Sequence, residues 1–493
     1  MTAEPAAAGA VVPPPAGRWD RRAPYLLAAA AFVLYATYSV LRQLTYLTAG
    51  YDLGIFDQAL RAYSRFQPPD VPLKGLDYNL LGDHFHPILA LLAPLYWVWS
   101  DPRTLLLAQS ALLAVSALPV WWFVRRRLTP LQSVMVVVGY LLCWPLQGMV
   151  DFDFHEVAFA VPILAFLIDA LDRRAYRWVV ALCFLLLLVR EDMGALVLMV
   201  ALIVLLRKKF WLAGGLALLG AVGYLAATSW VIPTFAATGT FAYWTYDSLG
   251  PNLPAALAHV VRDPVDTVRE FLTPATKTYT LLWTFGATTL FLSLFSPYVL
   301  LTLPILAERM FSSREALWTT EFHYTAVLAP VLFLGAVDVL ARLRDRFGLG
   351  PRWITGWAAV VVAIPLVGSL LLQAQFPLGR LVTGQAWQQS ARSESLARIL
   401  PLIPDGVCVA ADDRAVPQLT HRTYVTNPGI PSPPLTWVLL DLSQDETGYL
   451  GPDPRDYLRT ATAEGFLPVA RDGSIVLLHR PGPVDPRCAA YAP

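Results

Sequence analysis

Apolar runs long enough to cross a bilayer recur along this chain, and many are closed by a short basic cluster: Arg125-Arg126-Arg127, Arg173-Arg174, Arg207-Lys208-Lys209, and Arg342 to Arg346. A spanning helix needs about 20 apolar residues, so several such runs in one chain dictate a polytopic helical membrane protein. Composition agrees. Of the 493 residues 56% are hydrophobic and 15% charged, against roughly a quarter charged in an ordinary soluble domain. The net charge of +1 hides a local asymmetry, and the basic clusters are topology signals rather than nucleic-acid patches, so no nucleic-acid partner is expected.

Eleven spans are predicted, near residues 24–47, 104–124, 133–150, 157–171, 176–190, 193–206, 211–232, 279–295, 297–309, 324–341 and 353–373. Residues 1–23, rich in Ala, Pro and Gly at their start, are expected to form a disordered cytoplasmic tail. The run that follows is too long for a signal-peptide core and is read as a retained first span. Arg18, Arg21 and Arg22 put the N-terminus in the cytoplasm. The apolar segment Pro87 to Ser100 falls short of a full span, and counting it as a crossing would put Arg125 to Arg127 outside. It is therefore read as a juxtamembrane or re-entrant helix in a first extracytoplasmic loop, 48–103. An odd number of spans then places the C-terminal end outside.

Composition changes after the transmembrane region, 24–374. Short strand-like runs at Val407 to Ala411, Trp437 to Leu442 and Ser474 to His479 alternate with helical patterns at Gln385 to Leu400 and Pro454 to Glu464. This alternation predicts a small extracytoplasmic α/β domain over 375–493. It carries no Gly-rich phosphate fingerprint. Cys143 and Cys183 lie in apolar runs, and Cys408 with Cys488 would pair or stay free according to compartment; no metal-ligand spacing relates the four.

Acids and histidines gather at the ends that this topology assigns to the outside. YDLGIFDQ places Asp52 and Asp57 on a short surface helix, where a carboxylate beside an apolar wall or a second acid can act as a general base or simply cap the helix. GDHFHP supplies Asp83, His84 and His86, and DFDFHE supplies Asp151, Asp153, His155 and Glu156. On a helix Asp151 and His155 would share a face, as would Asp153 and Glu156. Carboxylates mixed with imidazoles suit a divalent metal, Mg²⁺ or Mn²⁺ where oxygen dominates, and equally suit hydrogen-bonded interfacial residues. Arg190, Glu191 and Asp192 interrupt one apolar run and are expected at a hairpin tip or polar cavity, gripping a phosphate or forming an internal ion pair. Arg309, Arg314, Glu321, His323 and Tyr324 precede a further span; two arginines on an outside loop suit an anionic lipid headgroup or a loop salt bridge.

YDLGIFDQ, DHFHP, DFHE, RED and HYTAVLAP together resemble the bacterial membrane proteins grouped as domain of unknown function 2079, over most of the chain from about Tyr35 to His479. Their layout is similar to the GT-C superfamily of integral-membrane glycosyltransferases. In that superfamily an acidic residue near the start of the first extracytoplasmic loop helps form the active site, and the donor is a polyprenyl-phosphate sugar. The resemblance implies Asp52 as the base, with Asp57 second, and cationic side chains or a metal stabilising the lipid phosphate. Asp52 is not followed by a second acid, as it is in the common Asp-Glu pair.

The expected fold is thus a mostly α, GT-C-like helical bundle bearing a small α/β domain. The expected activity is sugar transfer from a polyprenyl-phosphate donor to a cell-envelope glycan or protein acceptor, among membrane lipids at the outer face of the cytoplasmic membrane. A transporter or lipid flippase would instead place ionisable groups near mid-membrane on broken helices with inverted repeats. A non-enzymatic membrane protein with a partner-binding tail would need no acid cluster.

Overall fold

The computed structural model describes residues 18–448 and 451–491; most of the expected N-terminal tail, residues 1–17, lies outside them. Six helical stretches among the described residues are long and apolar enough to cross a membrane: Arg18–Leu44, Arg103–Arg125, Pro130–Asp151, Phe210–Phe235, Ala326–Phe347 and Pro351–Leu371. The first begins at Arg18, six residues before the expected start, and Asp20 in its first turn pairs with Arg125 at 2.9 Å.

The other five expected spans are shorter. Ala160–Asp172, Tyr176–Leu187, Met193–Leu206 and Ala275–Thr289 have 13, 12, 14 and 15 residues. At 1.5 Å per residue these cover roughly 18 to 23 Å, less than a hydrocarbon core of about 30 Å. Residues 297–309 divide into a 3₁₀ turn, Pro297–Thr302, and the helix Leu303–Phe311. Ala160–Asp172 and Ala275–Thr289 pack on Ala326–Phe347, whose side chains are almost all buried from Ala326 to Ala341, so this last helix forms the centre of the bundle. Met193–Leu206 meets Phe210–Ala226 at Gly194 and Gly220. A Cβ on either would come within 2.7 Å of the other's carbonyl oxygen, the small-residue contact that lets membrane helices approach closely.

The basic clusters converge at one end of the bundle. Arg126 pairs with Asp169 and Asp172, Arg127 also with Asp172, and Arg344 donates to the Arg127 carbonyl. The acid and histidine motifs occupy the other end, together with the C-terminal domain.

That domain contains a five-stranded sheet, β1 (Cys408–Ala411), β2 (Tyr424–Thr426), β3 (Trp437–Asp441), β4 (Leu467–Asp472) and β5 (Ile475–His479), in the order β2-β1-β3-β5-β4. β1 runs parallel to β2 and β3, while β5 is antiparallel to β3 and β4. Alternation along the strands divides the sheet. Val409, Ala411, Leu439 and Leu477 join the core shared with the helix Ala391–Ile399 and the bundle, while Ala410, Val438, Leu440, Val476 and Leu478 pack under Ala461 and Phe466. Cys408 and Cys488 form a disulfide that ties the C-terminal segment to β1. The expected strands and helices are present; β2 was too short to register in the sequence, and β4 is an edge strand carrying Pro468.

Candidate functional site

Leaving the first span, the chain turns at Tyr46, runs without regular structure through Leu47–Ala49, and makes one wide helical turn, Gly50–Gly54, before the helix Ile55–Ser64. Asp52 sits in that turn. Burial raises its carboxyl above the ordinary value; His155 opposes the shift and Glu156 adds to it, with Lys74 and Asp83 also within electrostatic reach. Among the described residues the Asp52 side chain has neither a hydrogen-bond nor an ion-pair partner.

The other acids at this end are engaged. Asp57 is fully buried, held by Arg61 Nε at 2.7 Å and by the Tyr96 hydroxyl at 2.7 Å. The helix ending at Asp151 does not continue: Asp153 has φ of 74°, so the expected shared faces do not form. Asp151 and Asp153 instead turn to Arg42, at 2.9 and 3.1 Å, and Asp151 also takes Tyr38 and Arg380. Arg190 is forked onto Asp192 and reaches Glu308 at 3.2 Å, which realises the internal ion pair. Glu191 turns the other way, accepting from His84 Nδ1 at 2.7 Å and from the Phe85 amide at 3.0 Å. Burial disfavours the charged imidazole of His84, but Glu191 outweighs it and lifts the pKa to about 9. Asp83 accepts from Lys74 Nζ at 3.0 Å and from the hydroxyls of Tyr78 and Tyr243; burial raises its carboxyl, yet His84 and Lys74 carry it down to about 2.

A contrasting cluster of polar side chains lies beside Asp52. Eight buried side-chain polar atoms lack a hydrogen-bond partner among the described residues, and six of them belong to His86, His155, Glu156 and His323. The His155 and His323 rings stack at 3.8 Å, Phe152 and Tyr324 lie against His323, and Phe56 meets His86 and His155 edge-on. His155 Nδ1 comes within 2.6 Å of Glu156 Oε2 as an ion-pair contact, without hydrogen-bond geometry. Burial favours a charge-free imidazole at His86 and at His323. An unmet buried polar group costs about 1–3 kcal/mol, and such groups concentrated in one place mark a site rather than a packed core.

The expected metal does not fit. Among the described residues no group of three or more His, Cys, Asp or Glu side chains is arranged to hold an ion. Of the six expected ligands, Asp83, His84 and Asp153 are taken by Lys74, Glu191 and Arg42.

Arg309, expected at a lipid phosphate, is buried and spends its guanidinium on the segment before the next span: Nε donates to the Leu317 carbonyl at 2.6 Å, Nη1 to Thr325 Oγ1 at 2.8 Å and Nη2 to the Thr319 carbonyl at 3.0 Å. Glu321 is exposed on that segment, whereas Tyr324 lies within electrostatic reach of Asp52. The sequence reading passed over Lys74, whose ammonium lies 3.2 Å from the Tyr51 hydroxyl and over the Tyr51 and Tyr78 rings. Its signal was that it is the one lysine in the first loop. Tyr243, stacked on His84 at 4.2 Å, was likewise missed.

Residues 43–455 match the family described as predicted membrane protein (DUF2079). The chain belongs to that family. Among curated proteins none matches this DUF2079 member. Solved structures that share its fold include two of one protein. Crystalline ArnT from Cupriavidus metallidurans bound to undecaprenyl phosphate is 13% identical, with a TM-score of 0.52 over 96% of this chain and 99% of the other. The same enzyme in the apo state is 14% identical, with a TM-score of 0.53 over 95% and 98%. The DUF2079 chain is therefore a multi-pass membrane protein with an ArnT-like fold.

Proposed function

We propose that this protein is a GT-C-type glycosyltransferase that moves a sugar from a polyprenyl-phosphate donor to an envelope acceptor at the outer face of the cytoplasmic membrane. The observation that carries the reading is Asp52: a half-buried, unpartnered carboxylate beside the cluster of unmet polar atoms, while the neighbouring acids are consumed by ion pairs. The ArnT-like fold supports it, since one of the two similar structures holds undecaprenyl phosphate.

Asp52 removes the proton of the acceptor hydroxyl, whose oxygen attacks the anomeric carbon as the bond to the phosphate oxygen breaks. The lipid phosphate leaves with the electron pair. A carboxyl whose pKa lies above its solution value is a better-matched base at neutral pH. In this reading Lys74, whose ammonium is paired with Asp83 and lies beside the Tyr51 hydroxyl, is the cation that meets the departing phosphate. Its ammonium stays charged because Asp83 and the surrounding tyrosines outweigh the effect of burial. The imidazoles and Glu156 present donors and acceptors to sugar hydroxyls. Asp57, Arg190 and Arg309 hold structure in this scheme, and no step uses a metal. The Cys408–Cys488 disulfide supports an extracytoplasmic C-terminal domain, because such bonds persist in oxidising compartments.

Native mass spectrometry of the purified protein with undecaprenyl phosphate tests the donor class. Retention of one lipid phosphate, weakened about tenfold or more by Lys74→Ala, is expected. Equal retention of a neutral polyprenol would contradict the assignment.

A further inference from the structure

In the link between the first span and Asp52, Arg42 Nη2 donates to the Leu47 carbonyl at 3.1 Å and the Ala49 amide donates to Asp153 Oδ2 at 3.0 Å, and the C-terminal domain supplies a further series of bonds. Gln418 Nε2 donates to the Gln43 carbonyl at 2.7 Å, Ser393 Oγ to that of Thr45 at 2.7 Å, Arg392 Nη1 to that of Tyr46 at 3.4 Å and Arg414 Nη1 to that of Leu47 at 2.9 Å. Asp413 completes the series. Its carbonyl accepts the Gly50 amide at 2.8 Å and its Oδ1 accepts the Tyr51 amide at 3.0 Å, fixing the Ala49–Gly50 and Gly50–Tyr51 peptides that lead into Asp52. The approach is so close that a Cβ at Gly50 would stand 2.8 Å from Asp413 Oδ1 and 2.9 Å from Val416 Cβ.

Backbone groups must be paired wherever water is excluded. Leu47–Ala49 forms neither helix nor strand; side chains from a region more than 340 residues away take the carbonyls of Thr45 and Tyr46 and share that of Leu47 with Arg42. We propose that the C-terminal α/β domain is a working part of the site, with Asp413 as the positioning residue that sets the Asp52 turn. The domain is thereby a template for the loop rather than an appendage hung on the bundle. Asp413 acts through the peptide, with no contact to substrate. Its effect on turnover rests on the transfer reading, whereas its effect on the Asp52 turn does not.

The test uses the full chain in lipid nanodiscs, comparing wild type, Asp413→Ala and Asp413→Asn. Asparagine keeps an oxygen for the Tyr51 amide; alanine does not. For Asp413→Ala, which keeps the backbone carbonyl that takes the Gly50 amide, hydrogen exchange at the Tyr51 amide is expected to quicken about tenfold or more. Turnover should then fall about tenfold in kcat, with donor KM changed by less than about threefold. Asp413→Asn should restore both. Unchanged exchange in Asp413→Ala, or asparagine exchanging as fast as alanine, overturns the proposal whatever the activity. Faster exchange with a wild type that transfers no sugar would uphold the positioning role and fail the transferase reading instead. Should Asp413→Ala not fold, Arg414→Ala, which leaves the Leu47 carbonyl to Arg42 alone, is expected to speed exchange across 47–51 about threefold; no change there also overturns the proposal.

Discussion

Replacing Asp57 by alanine tests whether this acid holds structure rather than taking part in the chemistry. The Asp57 side chain is 0% exposed and that of Arg61 7%, with Nε 2.7 Å from Oδ2 and Nη2 3.4 Å from Oδ1. Asp57→Ala leaves the guanidinium buried with only Ser100 as acceptor and strips the Tyr96 hydroxyl of its partner. Breaking a buried pair from one side costs about 3–5 kcal/mol, and an unmet hydroxyl adds about 1 kcal/mol, so a loss of about 4–6 kcal/mol is expected. The double variant Asp57→Leu/Arg61→Met removes both charges and should recover to within about 2 kcal/mol of wild type. Unfolding in mixed SDS micelles, followed by tryptophan fluorescence, measures both. Turnover per folded molecule should stay near wild type in the double variant. Abolished turnover with stability intact would refute this account and return Asp57 to the chemistry.

Three further outcomes are expected. Arg309→Met removes three bonds to 317–325, so hydrogen exchange there should quicken about tenfold or more while the Asp52 turn is unaffected; protection equal to wild type would contradict the anchoring role. Burial lifts the Asp412 and Asp413 carboxyls to about 7. Between about pH 4 and 7 the folded protein therefore binds protons that the unfolded chain releases, and the stability these acids contribute is lost as pH rises, by up to about 1.4 kcal/mol per pH unit for each. Asp413→Asn should flatten the fall seen in urea unfolding between pH 5 and 8; an unchanged slope would contradict it. Denatured, unreduced protein should show two free thiols, Cys143 and Cys183, and four after reduction; four before reduction would deny the disulfide.

The longest spans and the strands β1, β3 and β5 were legible because hydrophobic length and alternation are local properties of the chain. The spans expected at 176–190 and 193–206 fold as shorter helices of 12 and 14 residues, because apolar length in sequence does not mark where the tip around Arg190 to Asp192 unwinds the helix. The motifs did gather at one end of the bundle. Their division of labour was hidden, since whether Arg190 faces a phosphate or Asp192 depends on a tip geometry that composition does not encode. Asp151 and His155 parted because the helix stops at Asp151. Lys74 could have been noticed as the lone lysine of its loop, but Asp413 could not, as nothing near it in sequence connects it with Tyr51.

The central claim is that Asp52 is the base of a sugar transfer from a lipid phosphate. Purified wild type and Asp52→Asn, incubated with a panel of radiolabelled polyprenyl-phosphate sugars, should differ in the lipid phosphate they release. The account predicts release by the wild type from at least one donor, and a loss of about a hundredfold or more in Asp52→Asn with the fold unchanged by circular dichroism. Equal release by both proteins, or none from any donor by the wild type, would contradict it.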